Sequence, residues 1–223
     1  MFVRPGCELR FRDRREAGRM LAKSLRKYSS RDDVIVFGLP RGGLPVAYEV
    51  ARALEAPLDV FIVRKLGVPG YEELAMGAIA SGGARVLNES VLAQLDDSDE
   101  ALALATETET RELERREIEY RGDRPPYDLR GRTVILVDDG LATGSTMRAA
   151  ILALRERGIA SCVVAVPVAA PDTCAEFHDE VDEIVCAITP ADFRAVGQFY
   201  EDFSQTTDDD VRELLARAAA ERP

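Results

Sequence analysis

One stretch of the sequence limits the possible folds more than any other. An apolar, largely β-branched run at residues 133–137 stops at two adjacent carboxylates, Asp138 and Asp139. Behind them come a loop with two glycines and three hydroxyl side chains, and then a helical pattern. A short, uninterrupted apolar run is typical of a strand buried on both faces of a parallel sheet. The stretch therefore predicts a buried strand, a tight loop and a helix N-terminus in succession.

The loop at residues 140–146 has the composition of an anion-binding nest. Its glycines allow the backbone to wrap its N–H groups around a phosphate, and Thr143, Ser145 and Thr146 add hydroxyl donors. The following helix, which we expect to end at Gly158, aims its free N–H groups and its dipole at the same point. Carboxylates do not bind phosphate, but they suit the vicinal hydroxyls of a ribose or a magnesium ion. A sugar phosphate is therefore the predicted ligand.

The other common phosphate motifs do not fit this stretch. A Walker loop requires a lysine and a different spacing, and a Gly-x-Gly-x-x-Gly fingerprint is absent. The stretch closely resembles the phosphoribosyl diphosphate (PRPP) motif of type I phosphoribosyltransferases, with four apolar residues, two acids and a loop ending in Thr-Gly-x-Thr. The resemblance implies that Asp138 and Asp139 hold the ribose 2′- and 3′-hydroxyls and contribute indirectly to a metal site that forms with PRPP. It also implies a phosphate loop of Gly140, Leu141, Ala142, Thr143, Gly144, Ser145 and Thr146. An ordinary strand-turn-helix with a chance acid pair is the alternative.

The chain departs from part of that family at one position. Hypoxanthine-guanine members carry an aspartate three residues after the acid pair, near the N7 atom of the base, where this sequence has Ala142. Members that use orotate also lack a carboxylate there. A 6-oxopurine acceptor is therefore less strongly indicated, while transferase activity as such is not excluded.

A second strand, glycine-rich loop and helix occur earlier in the chain. The apolar run 34–37 leads into a loop with Arg41 at its centre, which is again the pattern of an anion site. In the resembled family this is the pyrophosphate loop, and the resemblance implies that Arg41, Gly42 and Gly43 bind the diphosphate of PRPP. The alternative is a tight turn with a solvated arginine.

A third strand, predicted at 59–63, ends in Arg64 and Lys65. We expect both cations at the same carboxyl edge of the sheet, as counter-charges for pyrophosphate and as catalytic residues together with Arg41 and the acid pair. The next segment, 68–80, resembles the flexible catalytic loop and following strand of several family members, which would close over PRPP and exclude water. Within it, contact of Glu72 and Glu73 with magnesium or substrate is conceivable, but solvation is the simpler interpretation.

Aromatic residues cluster at 189–205, where purine members of the family carry similar residues with shifted spacing. A planar base could stack on such side chains while backbone groups read its edge. The candidate acceptor-binding residues are Phe193, Val196, Phe199 and Asp202. A purely structural cluster of aromatics in a hood explains the same residues equally well.

We expect a single α/β domain over residues 1–223, with a mostly parallel five-stranded sheet flanked by helices. A hood is predicted from about 1–31 and 189–223, and a polar helical insertion at about 88–126, which either lies across the sheet or pairs in a homo-oligomer. The predicted first helix, about 13–27, carries one apolar face of Ala17, Met20, Leu21 and Leu25. The corresponding stripe of the insertion contains Leu102, Ala105, Leu113, Ile118 and Tyr120.

Composition excludes several classes of protein. A net charge of -11 argues against nonspecific binding to nucleic acid or to an anionic membrane. The sequence shows no apolar run of membrane-spanning length and no signal peptide, so we expect a cytoplasmic protein. The four cysteines form no Cys-x-x-Cys pair and are expected to be free thiols, and with His178 as the single histidine a zinc site is not indicated.

Together the patterns favour a magnesium-dependent phosphoribosyltransferase that transfers ribose 5-phosphate from PRPP to a nitrogenous acceptor, with a nucleobase as one option. The alternative is a non-catalytic PRPP- or nucleotide-sensing regulator on the same fold. A sugar-phosphate phosphatase or kinase is disfavoured, because no nucleophile or triphosphate loop is recognisable.

Overall fold

A computed structural model describes residues 10–95, 98–122 and 124–221, without the side chains at 72, 73 and 98. Its strands are β1 Val34–Gly38, β2 Leu58–Val60, β3 Val63–Val68, β4 Tyr71–Ala80, β5 Ala84–Leu87, β6 Thr133–Val137, β7 Ser161–Val168 and β8 Glu183–Ile188. Its α-helices are α1 Arg14–Ser24, α2 Gly43–Leu54, α3 Glu89–Leu92, α4 Ser98–Arg121, α5 Ser145–Arg155, α6 Pro171–Phe177 and α7 Asp208–Ala220. Two 3₁₀ turns cover Arg26–Tyr28 and Val196–Phe199.

The central sheet confirms the predicted α/β class. Its five strands are parallel and lie in the order β2-β1-β6-β7-β8. Every residue of β1 and β6 is buried, because helices cover both faces of the sheet. One apolar cluster joins the sheet to α1, α2, α4 and α7, and another joins it to α5 and α6. The ends of β1 and β6 therefore meet at one edge, where the chain carries its two loops rich in glycine.

Strands β3, β4 and β5 form a separate antiparallel sheet, of which the sequence predicted only a strand within 68–80. The predicted strand 59–63 is wrong in its extent, because β2 ends at Val60 and a new strand begins at Val63. Phe61 and Ile62, which connect the two strands, are fully buried. They extend the apolar run of β2 in the sequence, and the predicted strand is therefore too long. Arg64 and Lys65 consequently lie within β3 and not at the carboxyl end of a parallel strand.

The insertion predicted at about 88–126 forms α3 and the long helix α4. Residues 96, 97 and 123 of this range lie outside the described part of the chain. Helix α4 contacts β3, β4 and α7. Leu102, Leu113 and Tyr120 are buried as predicted. Ile118 is 70% exposed, because the buried face of α4 is narrower than the apolar stripe predicted from the sequence.

Helix α1 is shorter than predicted. Asp13 caps it by accepting from the Glu16 N–H, and Gly18 packs so closely on α2 that a Cβ there would lie 2.7 Å from the Val46 carbonyl oxygen. Of the predicted apolar face, Ala17, Leu21 and Leu25 are buried, whereas Met20 is 37% exposed. Near the end of the described chain, Thr207 caps α7 through a reciprocal capping box with Asp210.

The cysteine prediction is corrected by the fold. Cys174 and Cys186 form a disulfide between α6 and β8, and the remaining described thiol, Cys162, is buried. Cys7 lies outside the described residues. The connection between α6 and β8 turns the chain back on itself, which brings together two cysteines that no sequence motif links. None of the helices in the described ranges is long and apolar enough to cross a membrane.

Candidate functional site

The acid pair lies directly after β6, at the carboxyl edge of the central sheet. The Asp138 carboxylate accepts a hydrogen bond of 2.8 Å from the backbone N–H of Asp139. Burial raises the pKa of Asp138 well above its usual range, and the neighbouring charge of Asp139 acts in the same direction. Burial also raises the pKa of Asp139, although a nearby guanidinium opposes this effect. The site therefore contains two largely buried carboxylates whose negative charges repel each other.

The opposing guanidinium belongs to Arg14, the first residue of α1. Its Nε donates to Asp139 Oδ2 over 2.8 Å, and the two side chains are only 11% and 15% exposed. From the C-terminal part of the chain, the Tyr200 hydroxyl donates to the Asp139 carbonyl oxygen over 2.6 Å. Sequence reasoning missed both residues, because neither lies in a motif and only the fold brings them to the acid pair.

The predicted phosphate loop leads from the acid pair into α5. Gly144 adopts a left-handed φ of 73° directly before the helix, and a Cβ at this position would lie 2.5 Å from the Phe177 ring. The hydroxyl-bearing residues Thr143, Ser145 and Thr146 are exposed at the start of the helix. The loop thus presents hydroxyls and a helix N-terminus to one region of solvent, which is the arrangement that suits an anion.

Two side chains donate hydrogen bonds to carbonyl oxygens of this loop. Thr173 at the start of α6 donates its hydroxyl to the Ala142 carbonyl over 2.6 Å, and Arg148 donates to the Thr143 carbonyl over 2.7 Å. Arg148 is itself held by Glu180 and Glu176. These hydrogen bonds hold the loop through its carbonyl oxygens. Their donors belong to the neighbouring helices α5 and α6.

The predicted pyrophosphate loop packs against the acid pair. A Cβ on Gly42 would lie 2.2 Å from Asp139 Oδ2, and one on Gly43 would lie 2.7 Å from the Val137 carbonyl oxygen. The Pro40–Arg41 peptide bond is cis. The Arg41 side chain is 34% exposed, and its nearest carboxylate oxygen, on Asp208, is 3.9 Å away. The two glycine loops therefore share one site, and Arg41 keeps an accessible guanidinium.

The structure separates the two cations of β3. Arg64 pairs with Glu109 of α4 over 2.5 Å, whereas Lys65 is exposed on the other face of the strand. Lys65 lines a cavity of about 600 Å³ together with Thr143 and Ser145 of the predicted phosphate loop. Of the predicted pair, Lys65 is thus the one that shares a cavity with this loop, and the pyrophosphate role of both residues stays a prediction.

The candidate acceptor residues follow β8, in the segment 189–205. Phe193 stacks on Phe199 with ring centroids 5.6 Å apart, and Phe199 is 4% exposed. Val196 packs so closely on Gly140 that a Cβ at Gly140 would lie 2.5 Å from the Val196 Cγ1. Asp202 is exposed and accepts a hydrogen bond from the Ser204 N–H. This segment therefore packs onto the predicted phosphate loop, and base recognition by these four residues stays a prediction.

Metal-binding groups are sparse in the part of the chain that the structure describes. No cluster of three or more His, Cys, Asp or Glu side chains suited to a metal occurs among these residues. His178 follows the last residue of α6 as its C-cap. The side chains of Glu72 and Glu73, considered above as magnesium contacts, lie outside the described residues.

Taken together, the parallel sheet and the two glycine loops beside an acid pair define an α/β protein with a candidate sugar-phosphate site at the carboxyl ends of its strands. Residues 13–204 match the phosphoribosyl transferase domain family. The chain belongs to this family.

Similar proteins support the same assignment. The chain is 48% identical over 208 residues to a Mycobacterium tuberculosis protein provisionally named a phosphoribosyl transferase, covering 93% of this chain and 47% of that protein. The chain thus spans about half the length of that relative. The crystal structure of the protein TT1426 from Thermus thermophilus is similar with a TM-score of 0.83 and 43% identity, covering 93% of this chain and 98% of that one. A uracil phosphoribosyltransferase from a Nocardioides species is 39% identical over 67 residues, 30% of this chain and 32% of its own length.

Proposed function

We propose that this protein transfers ribose 5-phosphate from PRPP to a nitrogenous acceptor and releases pyrophosphate. The observation that carries the proposal is the juxtaposition at the end of β6, where an acid pair suited to a vicinal diol lies beside a loop suited to a phosphate. In this assignment Asp138 and Asp139 bind the ribose hydroxyls, and residues 140–146 bind the 5′-phosphate. The cytoplasmic location predicted from the sequence belongs to the same proposal.

The diphosphate would be held by the other glycine loop and by accessible cations. Arg41 has an accessible guanidinium beside the acid pair, and Lys65 faces the cavity shared with the phosphate loop. Cations close to a leaving diphosphate stabilise the negative charge that develops on it. Arg64 would join them only after leaving Glu109. No covalent nucleophile is required, since positioning and charge stabilisation carry such a transfer.

Magnesium fits this site as a companion of the substrate. Mg²⁺ is usually bound through one or two carboxylates together with substrate phosphates and waters, and seldom by an all-protein cage. An acid pair without a larger cluster of ligands among the described residues agrees with that mode. When bound with PRPP, the ion would neutralise diphosphate charge, with Asp138 and Asp139 as its indirect protein partners.

The test is pyrophosphate release from PRPP with Mg²⁺, measured against a panel of purines, pyrimidines and small amines. The wild-type chain should release pyrophosphate with one acceptor, and the double variant Asp138→Asn/Asp139→Asn should lose this activity while keeping its circular dichroism spectrum. Uracil belongs in the panel because a partial relative is a uracil phosphoribosyltransferase. Full activity of the double variant would refute the roles assigned to the acid pair.

A second candidate function is a PRPP- or nucleotide-sensing protein without turnover. One observation favours it: Ala142 is exposed in the loop, at the position where some purine members of the family carry a carboxylate. Titration calorimetry distinguishes the two candidates, because a sensor would bind PRPP and release no pyrophosphate with any acceptor of the panel.

A further inference from the structure

Arg14 connects two parts of the site that lie far apart in the sequence. Besides its 2.8 Å bond to Asp139 Oδ2, its Nη1 donates to the Ser204 carbonyl oxygen over 2.7 Å. The guanidinium carbon lies 4.0 Å from the centre of the Phe203 ring, a cation–π distance. One residue of α1 thus binds both the acid pair and the C-terminal segment of the hood.

This contact constrains which oxygen of Asp139 can meet a ligand. Arg14 occupies Oδ2, the oxygen that also faces the Gly42 backbone. Among the residues that the structure describes, no side chain donates a hydrogen bond to the other oxygen, Oδ1. Because the pair is shielded from water, its attraction is stronger than that of an exposed pair, and the carboxylate orientation is correspondingly well defined.

We propose that Arg14 is a positioning residue of the sugar site, which orients Asp139 so that Oδ1 faces the ribose hydroxyls and which ties this carboxylate to Phe203 and Ser204 of the hood. The inference rests on the proposed function, since it assumes that the acid pair binds the sugar of PRPP. It adds a residue outside both loops, and it gives the hood a mechanical link to the sugar site.

Loss of Arg14 can be told apart from a general loss of stability. A lysine at this position keeps the positive charge beside Asp139, and free guanidinium can replace the group that a glutamine lacks. A purely structural arginine would change thermal stability and leave PRPP affinity unchanged.

The experiment is titration of the full chain with PRPP and Mg²⁺ by calorimetry, for the wild type, Arg14→Gln and Arg14→Lys. Arg14→Gln should weaken binding by about 10- to 100-fold, the range expected for a lost hydrogen bond between charged groups. Arg14→Lys keeps the charge but cannot reach both Asp139 and Ser204, so it should weaken binding less, by about two- to tenfold. Added guanidinium at low concentration should partly rescue Arg14→Gln.

Arg15→Gln is the matched control. Arg15 is the next residue of α1 and also pairs with a buried carboxylate, that of Glu49, which retains Arg19 and Arg52 as partners. This variant should bind PRPP like the wild type. Wild-type affinity of Arg14→Gln would overturn the inference while the proposed function stands. Should Arg14→Gln fail to fold, wild-type affinity of Arg14→Lys would overturn it. Absence of PRPP binding by the wild type would instead overturn the proposed function, and the inference with it.

Discussion

Asp138 is a residue that the fold places where its ionisation is unfavourable. It lies at the end of a fully buried strand, next to a second carboxylate, and both burial and that neighbour raise its pKa. The ionised form is therefore less favourable in the folded chain than in the unfolded one. Asp138 therefore contributes to the stability of the fold at low pH, where its carboxyl group is protonated. This contribution is lost as the pH rises from the pKa of the unfolded chain, about 3.9, through the higher pKa of Asp138 in the folded chain.

At neutral pH, Asp138→Asn should stabilise the chain and weaken PRPP binding. The amide oxygen can still accept from the Asp139 N–H, while the buried charge is removed. Each kcal/mol of added stability raises the melting temperature of a chain of this size by about 2–4 °C, so a rise of at least this size is expected. Scanning calorimetry and PRPP titration measure the two effects.

The control for this variant is Asp128→Asn. Asp128 is exposed, and Arg130 lowers its pKa, so its replacement should not raise the melting temperature. A lower melting temperature for Asp138→Asn would contradict the assignment of Asp138 as a destabilising charge.

At the scale of elements, the proposed phosphate loop, residues 140–146, is held by a helix that contributes nothing to its sequence motif. Helix α6 begins with Pro171, a residue suited to the first helical turn, and Thr173 reaches from there to the Ala142 carbonyl. The loop motif supplies glycines and hydroxyls. The position of its backbone is set by α6 and by Arg148 of α5.

Thr173→Val should weaken PRPP binding by about two- to tenfold. The substitution keeps the shape of the side chain and removes one hydrogen bond, worth about 0.5–1.5 kcal/mol net. PRPP titration with Mg²⁺ is the measurement. Thr108→Val on α4 is the matched control, because its hydroxyl also bonds to a carbonyl, that of Leu104, at an exposed position. Equal affinities of the two variants would show that α6 does not hold the loop.

At the scale of the whole molecule, the insertion is joined to the central sheet by a buried ion pair. Arg121 at the end of α4 donates to Asp59 Oδ2 over 2.9 Å and to the Val60 carbonyl over 2.9 Å, at the end of β2. The two side chains are 8% and 6% exposed. Helix α4 is therefore part of the folded core at this end, even though most of its surface is charged.

Arg121→Met should destabilise the chain by about 3–5 kcal/mol, because it removes the ion-pair partner of the buried Asp59 carboxylate. The double variant Asp59→Asn/Arg121→Met should recover a large part of this loss. Arg111→Gln, which removes an exposed pair with Glu107, should change stability by about 0.5 kcal/mol or less. Urea unfolding compares the three, and equal effects of Arg121→Met and Arg111→Gln would exclude a buried tether.

The sequence by itself determined the features that depend on neighbours along the chain. The apolar runs of β1 and β6, the acid pair and the glycine loops are contiguous, so their strand-loop-helix units could be predicted from the local pattern alone. The alternation of such units was sufficient for the α/β class with a parallel sheet.

Only the tertiary structure decided what depends on residues far apart in the chain. Arg14 meets Asp139 across 125 positions, and no periodicity or motif encodes that distance. The buried residues Phe61 and Ile62 separate β2 from β3, so that Lys65 lies in a second sheet. The packing of α6 near β8 brings Cys174 to Cys186. Such contacts arise from the packing of whole elements against one another, which a local pattern does not specify.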